Sequence, residues 1–146
     1  MLMNSPEELA QAVVKKMYDN DPFSQWLGIE VSGVAPHKAT CTMEVRKEML
    51  NGFGVTHGGI AYSLADSAFA FASNTVGQVS VSIDNSISYP APVKPGDTLT
   101  ASAELRSAAN RVATYDVNVI NQDNTVVALF RGTVYRTKKQ HFPESN

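Results

Sequence analysis

The chain has 146 residues, 43% hydrophobic and 18% charged, and its 12 Lys and Arg against 14 Asp and Glu leave a formal charge of −2. That length suits one domain, 1–146, with one core, and without a basic excess there is no electrostatic footprint for nucleic acid. Cys41 is the only cysteine, which excludes an intrachain disulfide and fits a reducing compartment. The opening MLMNSPEELAQAVVKKMYDN mixes acids and lysines with apolar residues and has no uninterrupted apolar stretch of a secretory signal. A cytoplasmic protein is expected.

Ser5-Pro6-Glu7-Glu8 has the chemistry of a helix start, a hydroxyl cap followed by proline and then glutamate. It predicts a helix over about 6–18, ended by Asn20-Asp21-Pro22. Trp26 to Val34 is mixed, after which Ala39, Cys41, Met43 and Val45 alternate with polar residues; two strands about a turn near Pro36 to Lys38 are expected. From Gly58 to Val76 the apolar residues Ile60, Leu64, Ala68 and Phe71 recur every three or four positions, the spacing of a long helix. Asp66 at its middle, with Ser63, Ser67, Ser73 and Asn74, makes a membrane span costly. A helix buried inside a soluble fold fits better.

Beyond Gly77 a period of two dominates: Val79, Val81 and Ile83, then Ile87 and Tyr89, then Leu99 to Leu105, then Tyr115 to Val119, and a last strand from Val126 to Arg136. Proline, glycine and asparagine clusters separate these runs, and Lys138 to Asn146 reads as a solvated tail. The order is one helix, two strands, one long helix and four strands. Strand and helix do not alternate, so the expected class is α+β, an antiparallel sheet with one helix packed on its face.

The most informative segment is Asn51-Gly52-Phe53-Gly54-Val55-Thr56-His57-Gly58-Gly59, which runs straight into the long helix. Its glycines permit backbone conformations and close approaches that side chains forbid. The first N–H groups of a helix have no intrahelical acceptor, so Gly58 and Gly59 can offer donors to a developing oxyanion. A His-Gly-Gly turn also occurs as plain loop-to-helix geometry, with the histidine satisfying a buried polar group. Asp66 adds weight, because a carboxylate within an apolar helix is expensive unless paired or functional. Gly58 and Asp66 are eight positions apart, about 12 Å along a helix axis at ~1.5 Å per residue. Both can serve one reacting atom only if they come from different copies of the chain. Two such helices antiparallel across a two-fold axis give a homodimer with two shared sites.

MLNG, HGG and SLADSAFAFASN resemble the phenylacetate-degradation (PaaI-type) branch of the hotdog thioesterases, as do MYDNDPFSQWLGIEV from Met17, ISYPAPVKPGDTLTASA from Ile87 and YDVNVINQDNTVVALFRG from Tyr115. The likeness spans about Met17 to Arg136. It implies a hotdog fold, a curved antiparallel sheet wrapped around the central helix, in dimers that commonly pair into tetramers. It implies hydrolysis of acyl-CoA to free acid and CoA, with phenylacetyl-CoA and its ring-hydroxylated forms favoured. CoA belongs to the substrate, so no cofactor is expected. By resemblance, the Gly58 N–H polarises the thioester carbonyl and Asp66 of the partner chain acts as general base or nucleophile. Asn51 and His57 position the reacting groups, and Ser82 or Asp84 assists from the strand facing the helix.

Gly59 is a further candidate for substrate contact, Phe53 and Tyr89, with Phe69 and Phe71, for the acyl pocket, and Arg131, among Lys94, Arg106, Arg111, Arg136 and Lys138, for the CoA phosphates. Cys41, set in an alternating apolar run, reads as packing. His37 and His141 have no partners at ligand spacing, so no metal site is expected. Two rival readings are a hotdog hydratase or dehydratase, which His141-Phe142-Pro143 resembles superficially, and a non-catalytic acyl-CoA-binding protein on the same fold.

Overall fold

Ser5 caps the first helix, α1 (Pro6–Asp19), by accepting a hydrogen bond from the Glu8 amide at 3.1 Å, with Pro6 at the first helical position. Glu8 reaches past the cap to the Asn4 amide at 2.9 Å, and Ala10, Val13 and Val14 form the buried face. The computed structural model describes residues 3–143. A second helix, α2 (Pro22–Leu27), is one that the sequence does not predict: Asp21 caps it through the Ser24 amide at 2.9 Å and Gly28, at φ 79°, ends it. A helix of 6 residues is too short for its period to show, and the Asn20-Asp21-Pro22 signal that stops α1 also starts α2.

The chain then forms β1 (Glu30–Ala35), β2 (Lys38–Glu44), a 3₁₀ turn (Lys47–Met49), the long helix α3 (Gly58–Asn74), and β3 (Gln78–Ser88), β4 (Thr98–Ala109), β5 (Val112–Ile120) and β6 (Val126–Gln140). The six strands make one antiparallel sheet in the order β1-β2-β4-β5-β6-β3, with β1 and β3 at its edges. This is the α+β architecture that the element order implies. Alternate residues of the inner strands, Ala39, Cys41 and Met43, Leu99, Ala101 and Ala103, Tyr115, Val117 and Val119, are buried in one core with Leu64, Ala65, Ala68, Phe69 and Ala72 of α3. Small side chains on both sides let the helix lie close to the sheet. At Gly132 of β6 the gap closes altogether: a Cβ there would come within 2.6 Å of the Phe69 ring. Phe69 packs against Tyr115 and Phe130, with ring centroids 6.1 and 5.5 Å away, and burying a ring of this size stabilises the fold by about 2–3 kcal/mol.

Two boundaries and the facing of one strand differ from expectation. α3 ends at Asn74 rather than Val76, where the Thr75 hydroxyl turns back to the Ala72 carbonyl at 2.7 Å. β6 passes Arg136 and continues to Gln140, which pairs with Gln78. Lys138 to Gln140 therefore belong to the sheet and not to a solvated tail, and the His141 amide donates to the Gly77 carbonyl at 2.8 Å. The last residues of that tail, 144–146, lie outside the described residues.

The third difference is in β3. Its apolar run is real, but Val81 and Ile83 point away from the helix and are 48% and 57% exposed. A bulge between Ser82 and Asp84 inserts one residue against β6, which changes the face that later side chains use. Ser82 lies opposite Val134 and Asn85 opposite Gly132, both on the inner face, whereas Asp84 lies opposite Thr133 and points outward. Among the described residues no helix is long and apolar enough to cross a membrane.

Candidate active site

The loop before α3 is built around Asn51. Its Oδ1 accepts from the Phe53 and Val55 amides at 2.9 and 3.3 Å, while its own amide donates to the Val55 carbonyl at 2.7 Å. Gly54 takes φ 76° at the tip, a conformation that glycine adopts without strain. The His57 amide donates to the Met49 carbonyl at 2.8 Å, anchoring the end of the loop. Asn51 thus shapes the turn that delivers His57 and Gly58.

His57 is the N-cap of α3, and its Nδ1 accepts from the Gly59 amide at 2.9 Å. An acceptor Nδ1 carries no proton, so the ring is fixed in the tautomer with hydrogen on Nε2. The cap also separates the two glycines. The Gly59 N–H is committed to His57, whereas the Gly58 N–H, first in the helix, has no intrahelical acceptor and lies at the positive end of the helix dipole. The Tyr89 hydroxyl donates to the Gly58 carbonyl at 2.8 Å and pins this turn to the chain just beyond β3.

Asp66 sits midway along α3, half-buried, with its Oδ1 facing the Asn85 Nδ2 in a long contact of 3.4 Å. The same Nδ2 donates to the hydroxyl of Tyr62, one turn earlier on α3, at 3.0 Å, and the Ser82 hydroxyl donates to the Asn85 Oδ1 at 2.9 Å. Burial pushes the Asp66 carboxyl above its ordinary pKa, and the Asn85 amide opposes that shift by favouring the charged form. α3 is unbroken from Gly58 to Asn74, so the Gly58 amide and Asp66 of one chain are about 12 Å apart along the axis. The structure therefore gathers two groups: Asn51, His57, Gly58, Gly59 and Tyr89 at the start of the helix, and Asp66, Tyr62, Ser82 and Asn85 at its middle.

Other candidates lie elsewhere. Phe53 is 94% exposed at the loop tip and Tyr89 is 48% exposed, so neither lines an enclosed acyl pocket within one chain. Phe69 and Phe71 are core residues. Asp84, expected to assist from the face toward the helix, points outward, because the β3 bulge gives the inward place to Asn85. Arg131 is on the outer face of the sheet, its Nε 2.7 Å and one terminal nitrogen 3.0 Å from the Asp116 carboxylate, which Arg106 also approaches at 3.1 Å. A shallow hollow beside it, lined by Ser86, Ser88, Asp116 and Asn118, shares that face and does not reach Asp66. Cys41 is fully buried and its thiol is pushed up to about 12 by desolvation, which removes it as a nucleophile.

Sequence reasoning missed Asn85 and Tyr62. Tyr62 carries a legible signal, its place four residues before Asp66 on the same helical face. Asn85 carries none, since the bulge that turns it inward depends on pairing with β6.

Residues 53–128 match the family model of the thioesterase superfamily. Acyl-coenzyme A thioesterase PaaI of Escherichia coli is 42% identical over 120 residues, which cover 82% of this chain and 86% of the relative. A solved structure of the E. coli PaaI protein from the phenylacetic acid degradation operon superposes with a TM-score of 0.90 at 38% identity, covering 93% of this chain and 99% of that one. A hypothetical thioesterase protein of Streptococcus pneumoniae, solved with coenzyme A, superposes with a TM-score of 0.79 at 25% identity over 86% of this chain and 98% of that one. Together with the sheet order, the buried long helix and the glycine turn that opens it, these likenesses establish that the chain belongs to the thioesterase superfamily, as a hotdog-fold acyl-CoA thioesterase of the PaaI type.

Proposed function

We propose that this enzyme hydrolyses aryl-acyl-CoA thioesters of the phenylacetyl type to the free acid and CoA, at sites shared between two copies of the chain. The observation that carries the shared site is the separation along α3: one unbroken helix sets Gly58, with its uncommitted amide, and Asp66 about 12 Å apart along its axis, too far to act on one carbonyl. Two antiparallel copies of the helix bring each Gly58 beside the partner's Asp66. β3 favours such pairing, being an edge strand of 11 residues with Val81 and Ile83 exposed on it. Leu129, Tyr135 and Val112, exposed on the outer sheet face, supply apolar surface for a second contact that would make a dimer of dimers. The aryl preference rests on the E. coli relative, whose gene lies in a phenylacetic acid degradation operon. The single, buried cysteine fits a cytoplasmic enzyme.

In this mechanism the Gly58 N–H hydrogen-bonds the thioester oxygen as negative charge builds on it. The partner's Asp66 takes a proton from water while the water oxygen bonds to the carbonyl carbon; the C–S bond then breaks and CoA leaves as a thiolate that is protonated. Alternatively, the carboxylate attacks directly, expels the thiolate and forms a mixed anhydride that water opens. Single turnover in oxygen-18 water separates the routes, because opening the anhydride at its aspartyl carbon leaves label in Asp66. The governing test is thiol release from a panel of acyl-CoAs, with phenylacetyl-CoA expected to be a good substrate and Asp66→Asn expected to lose about 10²–10⁴-fold in rate. Hydration of an enoyl-CoA without thiol release would overturn this reading in favour of a hydratase, and tight binding with neither reaction in favour of a sensor. The geometry disfavours the hydratase: His141 bonds Asn74 at 2.7 Å, at the opposite end of α3 from the glycine turn.

A further inference from the structure

The bulge in β3 leaves Asn85 as the polar side chain that reaches from the sheet to the Asp66 carboxylate. A carboxylate only accepts hydrogen bonds, so the amide must present its NH₂ to Asp66, and the Ser82 hydroxyl, donating to the amide oxygen at 2.9 Å, holds it in that orientation. The Tyr62 hydroxyl takes the other Nδ2 hydrogen at 3.0 Å. All the hydrogen-bonding groups of Asn85 are thereby engaged, and the contact it makes with Asp66 is confined to Oδ1.

We propose that Asn85 is a positioning residue of the thioesterase reaction, which holds Asp66 by Oδ1 so that Oδ2 faces the reacting atom. This rests on the reading of Asp66 as base or nucleophile. Held so, the carboxylate presents one oxygen in a fixed direction, as either route requires. The same amide favours the charged form. Burial alone works against ionisation of Asp66, and no charged side chain among the described residues contributes to its shift. The groups facing it are Tyr62 on its own helix and the uncharged Ser82 and Asn85 on β3, with Tyr89 beside Tyr62. In the shared site the partner's His57 is a further titratable group, and it is common to parent and variants. Without the Asn85 amide, Asp66 reaches its reactive form only at higher pH.

The test is kcat/KM for phenylacetyl-CoA against pH in the homo-oligomeric enzyme, for the parent, Asn85→Leu, Asn85→Ser and Asn85→Gln, with melting curves alongside. Asn85→Leu and Asn85→Ser are expected to move the acidic limb to higher pH, so that the loss at about pH 5.5 exceeds that at about pH 8.5 by roughly tenfold, carried mainly by kcat. Asn85→Gln, which keeps an amide N–H, is expected to return the limb toward the parent. A structural role alone would lower activity uniformly and leave the limb in place, and that result overturns the proposal, as does a glutamine variant displaced as far as leucine. Should the leucine variant fail to fold, the smaller serine variant decides. Asp66→Asn separates the two levels. Full thiol release in Asp66→Asn would remove the reading of Asp66 itself, whereas an inactive Asp66→Asn with unmoved limbs in the Asn85 variants removes only this proposal.

Discussion

At Asp66 burial raises the carboxyl pKa and the Asn85 contact opposes it, with burial the larger influence. A carboxyl whose pKa is higher in the folded than in the unfolded chain contributes stability that is intact at low pH and is lost as the pH rises through the folded value. Above its folded pKa the ionised Asp66 therefore costs stability. Asp66→Asn, nearly isosteric and uncharged, is expected to melt about 1–4 °C above the parent near neutral pH while losing activity. As the pH falls and Asp66 takes up its proton, the two melting temperatures should converge. Calorimetry of both proteins across that range checks this, and an asparagine variant that melts below the parent at neutral pH would contradict it.

Among the elements, α3 and β6 meet closely at Gly132, where a methyl group would overlap the Phe69 ring at 2.6–2.8 Å. Phe69 is wedged between Tyr115 and Phe130 and has no easy retreat. Gly132→Ala is expected to cost about 1–3 kcal/mol, read as a lower urea midpoint with an unchanged slope. The alternation of β2 is legible in Ala39, Cys41 and Met43, because each of these side chains packs against α3 while its neighbours do not. α3 is legible for a related reason: its buried residues recur at helical spacing, and Asp66 is the one charged residue within it. β3 is not legible in the same way. Its period-two pattern sets Val81 and Ile83 outward, and the bulge after Ser82 transfers the inward place from Asp84 to Asn85. Register against a neighbouring strand is a property of the pair, so a single strand's sequence cannot disclose it.

In the molecule as a whole, a site shared between two chains, as proposed above, makes a prediction that a single-chain site does not. Gly58 is the first residue of α3, and His57 before it is extended at φ −60° and ψ 135°, the conformation that a following proline requires. A Cβ at Gly58 would meet only Tyr89, at 3.6 Å or more, so Gly58→Pro deletes the amide hydrogen with little strain. Gly58→Pro and Asp66→Asn are each expected to be inactive alone. Unfolded together in equal amounts and refolded, half of the dimers pair the two variants and each such dimer has one intact site, giving about a quarter of the parent's activity. Recovery of none would show that each chain carries its own complete site.

The His57 cap has one further consequence. By occupying the Gly59 amide, it would leave the proposed mechanism a single backbone donor for the oxyanion, and one such donor is worth about 10²–10³ in rate. An alkyl ester or amide, whose carbonyl is conjugated with oxygen or nitrogen, asks for more help than that. A thioester asks for less, because sulfur overlaps poorly with the carbonyl and the bond is already activated. On the proposed mechanism the turn would then act as a filter, favouring acyl groups carried on sulfur over the same acids held as oxygen esters or amides, and comparing hydrolysis rates of matched thioester, ester and amide checks this.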